Sequence, residues 1–161
     1  MDLETLNKLP LCSIKGSIIV IDSPSGVETA IAELRHESLI GFDTETRPTF
    51  TKGVRYDVAL LQLATRTTAY LFRLQMIGLN EPLKALLEDP SVVKVGLSTH
   101  DDFRSLQHWM PCVPKGFIEL QHYVKAFGIE DMSLQKIYAV VFGERISKTQ
   151  QLSNWEINPL T

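Results

Sequence analysis

Asp43 and Glu45 stand two residues apart at the end of an apolar run, Ser38-Leu-Ile-Gly-Phe-Asp-Thr-Glu-Thr46. In a strand, side chains alternate faces, so both carboxylates point the same way. Gly41 shares that face and leaves open space beside Asp43, while Ile40, Phe42 and Thr44 take the other. Two neighbouring acids on a buried type of strand repel each other and resist desolvation. A divalent cation is the simplest relief. Mg²⁺ or Mn²⁺ held by carboxylate oxygens beside substrate phosphates is the usual form of such a site. With 19 acids in 161 residues, an Asp-x-Glu somewhere is expected by chance. Most such pairs are solvated turns; the apolar strand ahead of this one sets it apart.

The surrounding sequence supplies elements to position the pair. Ser17–Asp22 is a short β-branched run, and Ser23-Pro24 has the chemistry of a helix start, followed by Val27, Ala30, Ile31 and Leu34 at helical spacing. Residues 47–57 are polar and irregular. Val58–Ala64 and Thr68–Phe72 read as strands joined by so short a turn that they are antiparallel. A short helix over Pro82–Glu88 and a buried strand over Val92–Gly96 follow. Next come a helix capped by Ser98 or Thr99 and running to about Trp109, a strand turning into a helix over Phe117–Ala126, and a helix over Met132–Phe142. Strands with one hairpin, then strands alternating with helices, indicate an α/β sheet of mixed direction flanked by helices.

Composition sets bounds. A chain of 161 residues with 44% hydrophobic and 22% charged residues is expected to form a single globular domain. No apolar run is long enough to span a bilayer, and no membrane partner is expected. The N-terminus carries no signal peptide pattern. Cys12 and Cys112 form no Cys-x-x-Cys motif and read as free thiols of a cytoplasmic protein. At a net charge of −3, binding to nucleic acid must rely on a local basic patch and bound metal.

Four segments in order now resemble a known family. Gly41-Phe-Asp-Thr-Glu-Thr-Arg-Pro48 resembles the first motif of DEDD-type 3′–5′ exonuclease domains, and Val58–Leu63 the strand that follows it. Lys94-Val-Gly-Leu-Ser-Thr-His-Asp-Asp-Phe-Arg-Ser-Leu106 resembles the second motif. Ser147–Trp155 and Pro159-Leu-Thr161 resemble the approach to the third. The likeness is to the ribonuclease D and Werner-type members of the tyrosine-containing (DEDDy) subgroup. It implies a ribonuclease H-like fold and two-ion hydrolysis of phosphodiester bonds at single-stranded DNA or RNA 3′ ends. The Mg²⁺ or Mn²⁺ ions of such a site lie about 3.5–4 Å apart. It further implies that Asp43, Glu45 and Asp102 are catalytic metal ligands, with Glu45 also meeting the terminal 3′ hydroxyl. Asp102 is preferred to Asp101 because aligning Lys94-Val-Gly96 and Leu106 with the family places its aspartate there; Asp101 then serves the helix N-terminus.

The third motif itself, a tyrosine and an aspartate four residues later, would follow Thr161. Leu160-Thr161 reads as a helix-start signal with no helix after it. The expectation is one domain over residues 1–161, cut short before its last catalytic helix. Weak or absent activity is expected of it, with apolar surface uncovered where that helix would pack. The alternative is an exonuclease-like module that binds nucleic acid or a protein without cleaving. A third option is an endonuclease of the same fold.

Basic residues near the acids are candidate phosphate contacts: Arg47, Lys52 and Arg55 in the loop after the pair, and Lys148 with Arg145 nearby. A solvated loop is the plainer alternative for the first three. Phe50 and Tyr56 suit base stacking or packing. His36, His100, His108 and His122 lack metal-site spacing, and Trp109, Phe117, Phe127 and Trp155 read as core or rim aromatics.

Overall fold

The structure, a computed structural model, describes residues 1–13, 15–147 and 155–156. Its centre is a six-stranded mixed sheet of order β1-β4-β3-β2-β5-β6. The strands are β1 (Ser17–Ile21), β2 (Leu39–Thr46), β3 (Val58–Ala64), β4 (Thr68–Arg73), β5 (Val93–Gly96) and β6 (Phe117–Glu119). β2, β3 and β4 run antiparallel in sequence, while β1, β5 and β6 join by parallel pairings. The mixed direction and the hairpin agree with the expectation from sequence.

The α-helices are α1 (Leu3–Lys8), α2 (Pro24–Leu34), α3 (Leu74–Ile77), α4 (Glu81–Leu87), α5 (Thr99–Leu106), α6 (Leu120–Tyr123) and α7 (Leu134–Phe142). α2 starts as its sequence dictates: Ser23 Oγ accepts from Gly26 N at 3.2 Å, with Pro24 in the first turn. Val27, Ala30, Ile31 and Leu34 of α2 and Leu83, Leu86 and Leu87 of α4 are buried in one core with Ile40, Phe42, Leu61, Leu63 and Phe72 of the sheet. α1 and α3 lie where no strong periodicity marked a helix. α5 ends at Leu106, one turn earlier than expected, and Ser98 does not cap it.

Three rings fasten α5 and β6 to β2. Phe42 lies 5.4 Å from Phe103 and 5.0 Å from Phe117, and the latter two stand edge to face at 4.2 Å. Phe117 is thus the core aromatic expected, and Trp109 is half-buried, donating through Nε1 to Val58 O at 2.8 Å. Phe127, read as a core or rim aromatic, is 69% exposed, with its ring beside Tyr123, because its short 3₁₀ turn lies outside the sheet. Both cysteines are free.

Lys94 is the unexpected member of the core. Its side chain is fully buried in the sheet, and Nζ donates to Asp89 O at 2.6 Å, Lys115 O at 3.1 Å and Leu87 O at 3.4 Å. Burial pushes its ammonium down to about 8. The three carbonyls and the nearby Phe117 ring are what make a buried cation tolerable there. Replacing it by a chain of similar length without the charge, Lys94→Met, strands those carbonyls. Chemical denaturation should then show a loss of about 3 kcal/mol, with little change in the m-value.

Candidate active site

The site is built at the end of β2. Register places Asp43 opposite Gln62 and Glu45 opposite Leu60 of β3, so the two acids share a face with Gly41 and Gln62, as the pleat requires. Immediately after Glu45 the ladder slips by one residue: Thr46 pairs with Val58, leaving Ala59 extra on β3. Such a bulge bends the strand and ends regular pairing, the usual device for aiming a side chain at a site. Thr44 looks to the other side and meets the first turn of α5, where its hydroxyl donates to Asp102 Oδ1 at 2.7 Å. The three acids named from the sequence are therefore brought to one end of one strand.

Each carboxylate has one oxygen engaged by the protein. Asp43 Oδ1 accepts from Thr44 N at 2.9 Å, Glu45 Oε1 from Gln62 Nε2 at 3.4 Å, and Asp102 Oδ1 from Thr44 Oγ1. Among the described residues, the other oxygen of each carboxylate accepts no side-chain or backbone hydrogen bond. The side chains as they stand do not converge on a single point: among the described residues no group of three His, Cys, Asp or Glu side chains is placed to hold one ion.

Their electrostatics carry the mark of that crowding. Burial pushes Glu45 up to about 7, with the charge of Asp43 adding and the Gln62 hydrogen bond opposing. Burial likewise lifts Asp102 to about 7, opposed by the Thr44 hydroxyl and aided by Asp43, Asp101 and Glu119. Asp43, open to solvent on one side, is raised by the protein around it against the pull of the Thr44 amide. A cavity of about 450 Å³ opens beside Asp43, walled by Gly41, Ala64, Val95, Leu120 and Leu134. The open space beside Gly41 is real: a Cβ there would meet nothing nearer than Ala64 Cβ at 3.8 Å. Ile18, Val20 and Leu39 stand exposed on this same face.

The sequence profile of the 3′–5′ exonuclease family matches residues 18–161. The chain belongs to that family. It is 29% identical over 165 residues to the mouse bifunctional 3′–5′ exonuclease/ATP-dependent helicase WRN, covering 96% of this chain and 12% of that protein. It is 28% identical over 163 residues to the exosome complex exonuclease RRP6 of Saccharomyces cerevisiae, covering 99% of this chain and 22% of that one. The exonuclease domain thus spans a minor part of the length of these relatives. The catalytic core of RRP6 from Trypanosoma brucei superposes with a TM-score of 0.80 at 21% identity, over 98% of this chain and 45% of that chain. Its likeness supports the ribonuclease H-like sheet expected from the motifs. The relatives are 3′–5′ exonucleases, hydrolases of nucleic acid.

The basic residues of the exonuclease domain divide. Lys52 and Arg55 stand exposed in the loop after β2. Arg47 is held: it lies over the Tyr56 ring at 4.6 Å and pairs with Glu156 at 3.3 Å. Glu156 also accepts from Gln75 Nε2 at 2.5 Å and, through its carbonyl, from Arg73 at 3.4 Å. Arg47, Gln75 and Arg73 therefore hold the 155–156 turn through Glu156. Arg145 likewise donates Nε to Leu9 O at 2.9 Å. Lys148 lies outside the described residues. Phe50 is 84% exposed, as a stacking residue would have to be. Thr44 and Gln62 went unread in the sequence, since their roles depend on strand register and helix placement.

A pH dependence follows. Glu45 and Asp102 hold protons to about 7 when folded, against ordinary values of 4.5 and 3.8. Between these limits the folded chain binds more protons than the unfolded one, so these groups make stability fall as pH rises from about 4 to 7. The thermal midpoint of the metal-free chain should drop over that window. The drop should shrink in the Glu45→Gln/Asp102→Asn double variant; an equal drop in both proteins would contradict the assignment.

Proposed function

We propose that this chain removes nucleotides from the 3′ ends of single-stranded DNA or RNA by hydrolysing phosphodiester bonds, with Mg²⁺ or Mn²⁺ held by Asp43, Glu45 and Asp102. The observation behind this reading is the placement of three carboxyls with raised proton affinity around one end of β2, Asp43 and Glu45 on the strand and Asp102 on Thr44 between them. Enzymes of the family are metal-dependent. The donor set fits a hard divalent cation, since all three side chains offer carboxylate oxygen and each has an oxygen free of protein donors. Side-chain rotation must bring them together. When bound, such ions supply Lewis acidity, acidifying water and offsetting charge on the phosphate.

The protein's own groups do the rest. Gln62 orients Glu45, whose carboxylate accepts from the terminal 3′ hydroxyl. Thr44 orients Asp43 through its amide and Asp102 through its hydroxyl. Lys52 and Arg55 meet the phosphates of the incoming strand as mobile point charges.

The test is digestion of a 5′-labelled single-stranded oligonucleotide in Mn²⁺ with the protein in excess. A ladder of shortened products, absent with Asp43→Asn and absent on circular substrate, is the expected outcome. Tight oligonucleotide binding with no shortening would favour the non-cleaving module, and cutting of the circle would favour an endonuclease. Charge reversal at Arg55 should weaken oligonucleotide binding about 3- to 10-fold at low salt and less at high salt. Unchanged binding would make the loop a solvated surface.

A further inference from the structure

α5 carries Asp102 in its first turn, and its start is unusual. Ser98, the residue before it, has φ 54° and ψ 38°, the left-handed region that L-residues other than Asn, Asp and Gly seldom occupy. It is the only such non-glycine among the described residues. In this conformation Ser98 makes no side-chain cap, so the free N–H groups at the helix start need another acceptor. Glu119, at the end of β6, supplies it. Its carboxylate accepts from Thr99 N at 3.0 Å, from Thr99 Oγ1 at 2.6 Å and from Ser98 N.

The approach is forced from the other side too. Gly96 is paired in register with Glu119, and a Cβ on it would lie 2.7 Å from both Phe42 O and Thr99 Cγ2. The turn from β5 into α5 is therefore pressed onto β2, with Thr99 buried beneath it. Glu119 clamps the turn from the far strand. With the first turn fixed, Asp102 is delivered to Thr44, the residue between Asp43 and Glu45 on β2.

We propose that Glu119 is a positioning residue for the hydrolytic site: by clamping Ser98 and Thr99 it fixes the first turn of α5 and sets where the Asp102 carboxylate stands. Glu119 does not touch the reacting atoms, because both its oxygens face the helix start. The proposal rests on the reading of Asp102 as a metal ligand. Outer partners that orient a ligand typically change metal affinity by about 10- to 100-fold when removed.

The test is calorimetric titration of the 161-residue chain with Mn²⁺ alone, comparing E119A, E119Q and D102N, with thermal midpoints measured alongside. E119A should weaken Mn²⁺ binding about 10-fold. E119Q keeps one carbonyl acceptor for Thr99 and should recover part of that loss. A residue that served stability alone would lower the thermal midpoint and leave affinity in the folded range unchanged. Should E119A fail to fold, E119Q carries the comparison, and affinity equal to the parent overturns the proposal. Binding lost in D102N and intact in both Glu119 variants overturns the positioning role alone. No Mn²⁺ binding by the parent, or binding untouched in D102N, overturns the ligand reading and the positioning role with it.

Discussion

The domain depends on the alternation of side chains along β2. One set of residues on this strand, Ile40 and Phe42, is buried in the core, and the other, Gly41, Asp43 and Glu45, lies on the opposite face, where Gly41 and Asp43 line the cavity. A slip of one residue would exchange the sets, burying two acids and exposing two large apolar groups. That outcome is excluded by partners on both edges: β3 pairs antiparallel from Gly41 to Thr46 and β5 parallel from Leu39 to Gly41. The acids therefore owe their place to hydrophobic burial on the opposite face. Past Gly41 the β5 pairing stops, and the bulge after Glu45 ends the regular ladder on the other edge. The strand end is left open where its carboxylates need room.

The same arrangement sets a conflict between stability and chemistry. Asp43, Glu45 and Asp102 each hold protons more tightly than a free carboxyl, with burial the first cause in every case. A fold optimised only for stability would not put them together. Local rules of this kind are broken at functional sites and compensated elsewhere. Here the compensation is the apolar packing of α2 and α4 against the sheet and the ring triangle of Phe42, Phe103 and Phe117. The triangle ties the two acid-bearing elements, β2 and α5, directly to each other.

Much of this was legible in the sequence because it follows from short-range periodicity. The alternation around Asp43, the hairpin of β3 and β4, and the capped start of α2 depend on residues a few positions apart. Asp102 is preferred to Asp101 from the motif alignment; in the structure Asp102 meets Thr44 and Asp101 is exposed. What stayed hidden involves residues far apart in the chain. Arg47 read as a free cation, because Glu156, its partner 109 residues away, gave no signal. Ser98 or Thr99 read as a cap from residue type, although Ser98, with its left-handed backbone, makes no side-chain cap and Glu119 accepts from the helix start in its place. Phe127 read as a core or rim aromatic from its ring alone, yet it is exposed on a short 3₁₀ turn.

Lys94 shows how a distant feature can govern the site without touching it. Its ammonium joins the end of α4, through Leu87 O and Asp89 O, to Lys115 O just before β6. That link helps fix the register of β6 on β5, in which Lys94 pairs with Phe117 and Gly96 with Glu119. Phe117 then completes the ring triangle behind Phe42, and Glu119 reaches the start of α5. A shift of β6 by one residue would turn both side chains to the wrong face. A buried cation is a costly way to hold two strands in register, since hydrophobic packing alone can do so. Its use here is understandable where register decides the position of a carboxylate: carbonyl acceptors are directional, and three of them define a point in a way that apolar contact does not.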